Sequence, residues 1–492
     1  MDKYLLGIDI GTSGCKVALF RPDGSAAAQS TGNYPVEYPH PGWAQQYPDM
    51  WWEAACGCIR RVLEESGADP AQIEGVGVDG QSWSAIAVDE QGRVLTPTPI
   101  WTDTRAQAQC DGLRGRIGEE ELFRCCGNPL QPSYTLPKIL WYRDHMPEVY
   151  AKARWILQSN SYFVYRLTGR ASQDLSQGYG LSCFDMSKRC WDTALADRIG
   201  IRPELLPPLY QCHEIVGNVT EEAAAQTGLA QGTPVVAGGL DAACGTLGAG
   251  VVKPGQTQEQ GGQAGGMSIA VDEYAADERL ILGCHVVPDQ WLLQGGTTGG
   301  GGALKWLRET CCPDLSFEEM SSLADTVEPG CEGVLFLPYM AGERSPIWNP
   351  AAKGVFFGLD YMKGRAHMIR AVMEGVAFSL RHNLETAKAA GAQIGALRAM
   401  GGSANSLVWT QLKADITGHA IEVPSSDTAT TLGAAILAGV GTGVYASFEE
   451  AAERTVRVQR IHQPDPEKKG VYDAAYQRYL ELYERLEPMM KG

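Results

Sequence analysis

Positive charge is what this chain is short of. Its 41 Lys and Arg stand against 58 Asp and Glu, a formal net charge of -17 at pH 7. That balance argues against a broad nucleic-acid surface, which needs clustered basic residues, and an anionic ligand would need local donors and a metal. Long apolar runs are missing too: none could span a bilayer. Met1-Asp2-Lys3 leads straight into a strand pattern, without the charged start, apolar core and small-residue cleavage site of a secretory leader. The 14 Cys include the adjacent pairs Cys125/Cys126 and Cys311/Cys312 but no Cys-x-x-Cys spacing or matching His. They read as reduced packing thiols of a cytoplasmic protein, not as a metal cluster. Neither the Gly-x-x-x-x-Gly-Lys-Ser/Thr of a P-loop nor a Gly-x-Gly-x-x-Gly after the first strand is present, which disfavours those two nucleotide folds.

What is present is a chain of 492 residues, 44% hydrophobic and 20% charged. That is soluble, globular and too long for one core, so two domains are expected. Gly7 to Lys16 reads Gly-Ile-Asp-Ile-Gly-Thr-Ser-Gly-Cys-Lys between two apolar runs. Its glycines allow a tight turn, Thr12 and Ser13 add hydroxyl donors, Lys16 adds a cation and Asp9 could hold a metal. The stretch is a phosphate-holding hairpin or an ordinary Gly-rich turn. A helix begins at Tyr47-Pro48-Asp49, with Trp51, Ala54, Ala55, Cys58, Ile59 and Val62 on one face and Gly67 to end it.

Ile73 to Val78 is a buried-type strand ending in Asp79-Gly80-Gln81-Ser82-Trp83, and strand ends of open sheets gather ligand loops. Trp83 is a sugar-stacking surface or a core aromatic. In Trp101-Thr-Asp103-Thr-Arg105, carboxylate and guanidinium can bind neighbouring hydroxyls or hold each other. Leu113 to Arg202 has a helical pattern and reads as an insertion over the first domain. Gly232 to Asp241 again puts a carboxylate at a strand end, followed by small residues to Gly250 suited to a close-packed helix.

The second half repeats this grammar. Gln260-Gly-Gly-Gln-Ala-Gly-Gly266 precedes a strand, and Gln294 to Gly302 leads into a helix whose N-terminal amides form an anion-binding arrangement. Arg365 to Ala390 is a long amphipathic helix, Met400 to Asn405 a strand-to-helix turn, and Leu432 to Gly439 a close-packing helix. The polar tail from Phe448 is expected on the surface. The repetition points to a duplicated fold closing over a cleft.

Ser133-Tyr-Thr-Leu-Pro-Lys138-Ile-Leu-Trp141, Gly354-Val-Phe-Phe-Gly358-Leu359 with His367 and Glu374, and Phe336-Leu-Pro-Tyr-Met-Ala-Gly-Glu-Arg344-Ser-Pro346 give the chain its resemblance to the FGGY carbohydrate kinases, xylulokinase-like branch. The resemblance implies an α/β protein of two actin-like (ribonuclease H-like) ATPase domains flanking a cleft. Residues 1–250 would bind sugar and carry the catalytic base, residues 251–447 would bind ATP, and 448–492 would be a helical tail on the surface. It implies ATP and Mg²⁺, with Asp241 as base and Asp9 beside the metal through water. Gly11, Thr12, Ser13, Lys16, Gly262, Gln263, Ala264, Gly301, Lys305, Gly402, Ser403 and Asn405 would lie on the ATP and phosphate side. Gln81, Ser82, Trp83, Asp103 and Asp241 would meet the substrate. The activity implied is phosphorylation of a small sugar or polyol, a ketopentose such as xylulose or a related ketose or sugar acid, with a homodimer as a possible assembly.

The chain departs from the pattern in places. Gly262-Gln-Ala-Gly265 stands where the family has Gly-Thr-Ser-Gly, Thr428 where a Glu is usual, Trp83 where xylulokinases have His, and Ala242 where they have Asn. The altered second hairpin motivates one rival, a catalytically weak sugar or nucleotide sensor. A chaperone-like or filament-forming ATPase of the same superfold is the other.

Overall fold

The computed structural model describes residues 3–425 and 428–490. Met1 and Asp2, read above as the run into the first strand, lie outside the described residues. β1 (Tyr4–Ile10) is buried along its whole length, as its apolar sequence requires of a central strand. Around it lie β2 (Gly14–Phe20), β3 (Ala26–Asn33), β4 (Ile73–Gly80), β5 (Ile215–Asn218) and β6 (Pro234–Val236), in the order β5-β6-β4-β1-β2-β3. The short β7 (Gly239–Leu240) pairs with the end of β4. The second sheet is built from β8 (Thr257–Gly261), β9 (Gly265–Val271), β10 (Ile281–Cys284), β11 (Trp291–Thr297), β12 (Leu397–Met400), β13 (Ile421–Pro424) and β14 (Val458–His462), in the order β10-β11-β9-β8-β12-β13-β14.

The two sheets share one plan. β1–β2–β3 is an antiparallel meander, and β4 then β6 add parallel on the other side of β1, with β5 antiparallel at the edge. In the second sheet β8–β9–β11 is the equivalent antiparallel triple, with β10 paired outside β11, β12 and β13 are the parallel strands and β14 is the antiparallel edge. β1 and β8 are thus equivalent, and each runs into a three-residue turn, 11–13 and 262–264. This is the duplication expected from the repeated Gly-rich phrases.

Helices α1 (Pro48–Ser66), α2 (Thr135–His145), α3 (Asp241–Gly248), α4 (Gly301–Cys311), α5 (Arg365–Ala389), α6 (Leu407–Thr417), α7 (Ala429–Gly441) and α8 (Lys469–Met490) cover the sheets. α1 begins with Pro48 in its first turn and closes on Gly67, whose φ of 64° lets its amide reach the Leu63 carbonyl. It buries Trp51, Trp52, Ala55, Cys58, Ile59 and Val62 against β2 and β3. α7 follows the second sheet in sequence but packs on β1, β4 and α3. It can do so because Gly7 and Gly77 face it: a Cβ at either would lie 1.9 Å from a backbone carbonyl of α7, of Thr431 or Ala434. Gly433 gives α3 the same approach, with its virtual Cβ 1.9 Å from the Cys244 carbonyl.

The tail is more than a surface appendage. β14 closes the second sheet, and α8 buries Tyr472, Ala475, Tyr476, Tyr479 and Leu482. These lie on one stripe at helical spacing, packed with Phe336 and Phe378. Two of the phenols are bonded inside: Arg370 Nη2 donates to Tyr472 Oη at 2.8 Å, and the Tyr339 and Tyr479 hydroxyls meet at 2.6 Å. Polar surroundings in the sequence masked an aromatic core stripe. Among the described residues no helix is long and apolar enough to cross a membrane.

Candidate active site

Three carboxylates converge where β1, β4 and β7 end. β1 and β4 run parallel in register, Gly7 opposite Gly77, Ile8 opposite Val78 and Asp9 opposite Asp79. β7 places Gly239 opposite Asp79 and delivers Asp241 as the first residue of α3. Asp79 is fully buried, Asp9 nearly so, and Asp241 keeps part of its surface open. Burial, and then the Asp9 charge, push the Asp241 carboxyl up to about 7 against the pull of the Ala242 amide. That amide donates to Asp241 Oδ1 at 2.6 Å. Burial also raises Asp9, opposed by Lys16 and by Thr430, whose Oγ1 donates to Asp9 Oδ2 at 3.1 Å. Asp79 is driven well above the usual carboxylate range by burial, then by Asp9 and Asp241. Neither of its oxygens has a donor in reach. Its proton is therefore held more tightly than that of a free carboxyl.

This cluster sets a pH dependence of stability. A carboxyl whose folded pKa is raised binds more protons folded than unfolded, so its contribution is lost as pH rises from the unfolded value through the folded one. For Asp241 that window runs from 3.8 to about 7, and for Asp79 it reaches well above 3.8. Asp79→Asn, which imitates the neutral acid, is expected to raise the denaturation midpoint of the ligand-free protein at pH 8 more than at pH 5. Equal shifts at the two pH values would show that Asp79 is not held protonated.

The first hairpin leaves Ser13 and Lys16 exposed, with Gly11 and Thr12 half-buried. Thr12 belongs to a polar chain. Its Oγ1 accepts from Trp101 Nε1 at 2.8 Å and donates to Gln81 Oε1 at 3.3 Å, and Gln81 Nε2 donates to Gln46 Oε1 at 3.0 Å. Gln46 returns to the Thr12 carbonyl at 2.8 Å. Residues expected at phosphate (Thr12) and at sugar (Gln81) are therefore physically coupled.

Trp83 adopts φ 54°, and its ring packs on Tyr134 and Tyr179 with centroids 4.6 and 5.5 Å away. The conformation is held from behind: Lys138 Nζ, fully buried, donates to the carbonyls of Trp83, Ile100 and Ser133 at 2.9, 2.7 and 2.6 Å. Tyr179 senses the Asp241 charge and interacts with Ser82 and Trp83. The aromatic trio therefore stands within electrostatic reach of Asp241. Arg344 acts electrostatically on both Tyr134 and Tyr179, which brings a cation of the second half to this wall.

Asp103 does not belong with them. It is fully buried, paired with Arg105 at 2.8 Å, and accepts from the Ala44 amide at 2.7 Å. Arg105 in turn stacks over Trp43 with its carbon 3.9 Å from the ring centre. The carboxylate and guanidinium hold each other and a distant loop, leaving no oxygen to offer a sugar.

On the second side, Gln263 and Ala264 are exposed and Gly262 half-buried at the turn. The amides at the start of α4, expected to hold an anion, are taken: Gly301 N donates to the Gly262 carbonyl at 2.8 Å and Gly302 N to the Gln263 carbonyl at 2.9 Å. Lys305 points to solvent, 3.8 Å from Glu309. Gly402 and Asn405 are exposed, but Ser403 is buried and its hydroxyl accepts from Lys413 Nζ at 2.7 Å. Lys413 also pairs with Glu259 at 2.7 Å, both side chains almost wholly buried.

Asp79, Tyr134, Tyr179 and Arg344 had no assigned place in the sequence reading. A signal for Asp79 existed: Gly77-Val78-Asp79 copies Gly7-Ile8-Asp9, and the two triplets face each other.

Comparison with known proteins matches residues 4–248 to the N-terminal domain and residues 276–442 to the C-terminal domain of the FGGY family of carbohydrate kinases. The chain is 32% identical over 490 residues to a xylulose kinase of Escherichia coli (strain K12), covering 99% of each. It is 29% identical over 499 residues to a gluconokinase of Bacillus subtilis (strain 168), covering 99% of this chain and 97% of the relative. The crystal structure of xylulose kinase from Rhodospirillum rubrum superposes over 100% of both chains with a TM-score of 0.93 at 29% identity.

Proposed function

The chain belongs to the FGGY family of carbohydrate kinases, ATP-dependent enzymes that phosphorylate sugars, and we propose that its acceptor is a small ketose, foremost a ketopentose such as xylulose. The observation that carries the reading is the placement of Asp241 at the start of α3, beside Asp9 and the aromatic wall of Trp83 and Tyr179. Asp241 would take the proton of the attacking hydroxyl; a base with a pKa raised to about 7 suits that task near neutral pH. Trp83 would offer its ring to the C–H face of the sugar, with Gln81 and Ser82 beside it. Ser13 and Lys16, with the Gly11 and Thr12 backbone, would meet the transferring phosphoryl group, where alignment and charge do most of the catalytic work.

We place ATP on the second half, around Gly262, Gln263, Ala264, Gly402 and Asn405, which are grouped at the ends of β8 and β12. On this reading residues 1–250 and 251–447 are the two working lobes, with α7 crossing back to the first. The carboxylate of Asp9, whose Oδ2 accepts from Thr430, is the hard oxygen donor that a divalent cation such as Mg²⁺ takes. Among the described residues no three His, Cys, Asp or Glu side chains are spaced to ligate one ion, so the hold we propose is by Asp9 through water. Bound magnesium would neutralise charge on the phosphate oxygens. The acidic balance and the unpaired state of all fourteen cysteines support a cytoplasmic setting.

A sugar acid is the second candidate acceptor, favoured by the Arg344 cation near Tyr134 and Tyr179. The test is ADP release with Mg-ATP across ketopentoses, polyols and aldonic acids, with mass analysis of products. A ketopentose is expected to stimulate most. Greater stimulation by an aldonic acid would move the assignment to the second candidate, and none above the sugar-free rate would remove both.

A further inference from the structure

The β1–β2 hairpin carries a thiol that the reaction does not use. Cys15 lies on β2 between Gly14 and Lys16, opposite Ile10. Its Sγ is 3.9 Å from Cys58 Sγ on α1, and both residues are fully buried. The contact is built into the fold. Cys15 is opposite Gly32 on β3, and a Cβ at Gly32 would come within 3.0 Å of Cys58 Sγ, so the absent side chain opens the gap in which the sulfurs meet. Over Cys58 lies the exposed Arg61 side chain. Its Nη2 donates to Cys58 Sγ at 3.1 Å and to the Thr31 carbonyl at 3.3 Å, and its Nε donates to Ser30 Oγ at 2.9 Å.

We propose that Cys15 and Cys58 form an oxidative modification site, in which a hydroperoxide oxidises Cys58 and Cys15 closes a disulfide on it, drawing the hairpin toward α1 and slowing the kinase. The Cys58 thiolate attacks the peroxide oxygen to give a sulfenic acid and hydroxide, or an alkoxide from an organic peroxide. The Cys15 sulfur then attacks the sulfenic sulfur, its proton leaving with the hydroxyl as water. Two thiols lose two electrons and the peroxide bond gains them. The roles follow from the surroundings. Cys58 is shifted toward the thiolate, first by the Cys15 hydrogen bond and then by Ser30 and Arg61, whereas Cys15 is shifted upward chiefly by that same bond and by burial. Closing the bond brings the sulfurs from 3.9 Å to about 2.05 Å, a displacement that reaches Gly14 and Lys16 through one peptide unit on each side.

The effect on turnover rests on the placement of the hairpin at the phosphate in the proposed function; the disulfide does not. The experiment therefore reads both. The full-length enzyme is treated with hydrogen peroxide, alkylated and digested without reductant, while kinase turnover is followed with the best acceptor. A linked peptide pair carrying Cys15 and Cys58, lighter by two hydrogens than the free peptides together, is expected. Because a misplacement of about 1 Å can cost roughly 10²-fold in rate, turnover should fall by about tenfold or more, return with dithiothreitol, and resist peroxide in Cys58→Ser and Cys58→Ala. Absence of the linked pair at peroxide levels that oxidise the exposed Cys311 overturns the site. A linked pair with unchanged turnover overturns the switch.

Discussion

Asp241→Asn is expected to lower kcat by about 10²- to 10⁴-fold, the range that positioned proton transfer contributes. The change keeps a side chain of the same shape at the start of α3, where asparagine can still accept from the Ala242 amide that now lies 2.6 Å from Asp241 Oδ1. What it removes is the place for the proton. It also removes one of the negative charges that raise Asp79, so the variant should fold at least as well as the parent. Nucleotide binding, measured by titration calorimetry with ADP, is expected to change little, because the proposed adenosine and phosphate contacts lie elsewhere. A kcat within tenfold of the parent would remove Asp241 from the proton transfer and leave it only an orienting role.

The largest loss of stability is expected at Lys413→Met, about 3–5 kcal/mol, the cost of leaving a buried charge without its partner. Glu259 is the charge left behind. It is buried, and its second oxygen has no partner even in the intact protein. Lys413 also fixes Ser403, whose hydroxyl would be 1.7 Å from a Cβ at Gly261, so the same change loosens the second hairpin where it meets α4. Urea denaturation should show the loss, and the KM for ATP should rise with it. Adding Glu259→Gln to Lys413→Met should recover part of the stability, because the uncompensated charge is then gone. A single-variant effect within about 0.5 kcal/mol, the size of an ordinary surface change, would show that the pair carries no net weight.

Local pattern made much of this molecule legible. α1 follows from the spacing of Trp51, Ala55, Cys58, Ile59 and Val62 and from its terminal residues. The duplicated sheets follow from two Gly-rich turns in equivalent places. Pairings between distant residues were not legible. Asp103 next to Arg105 looks in sequence like a pair presented to hydroxyls, and only the Ala44 amide, brought from 59 positions away, shows it to be internal. The amides before Ala303 look free until the second hairpin turns its carbonyls onto them. In the tail, Tyr472, Tyr476 and Tyr479 have helical spacing, yet charged neighbours concealed that the face they share is a core face.

The placement of α7 has a consequence for synthesis. The helix that seals the face of β1 and β4 is made only after the whole second sheet up to β13 has been translated. A nascent chain ending near residue 250 therefore carries a first sheet whose Gly7 and Gly77 face solvent where Thr431 and Ala434 belong. Such an uncovered sheet is prone to aggregate. The first lobe thus waits for the second, and release of a finished N-terminal half would produce an incomplete body rather than an independent one.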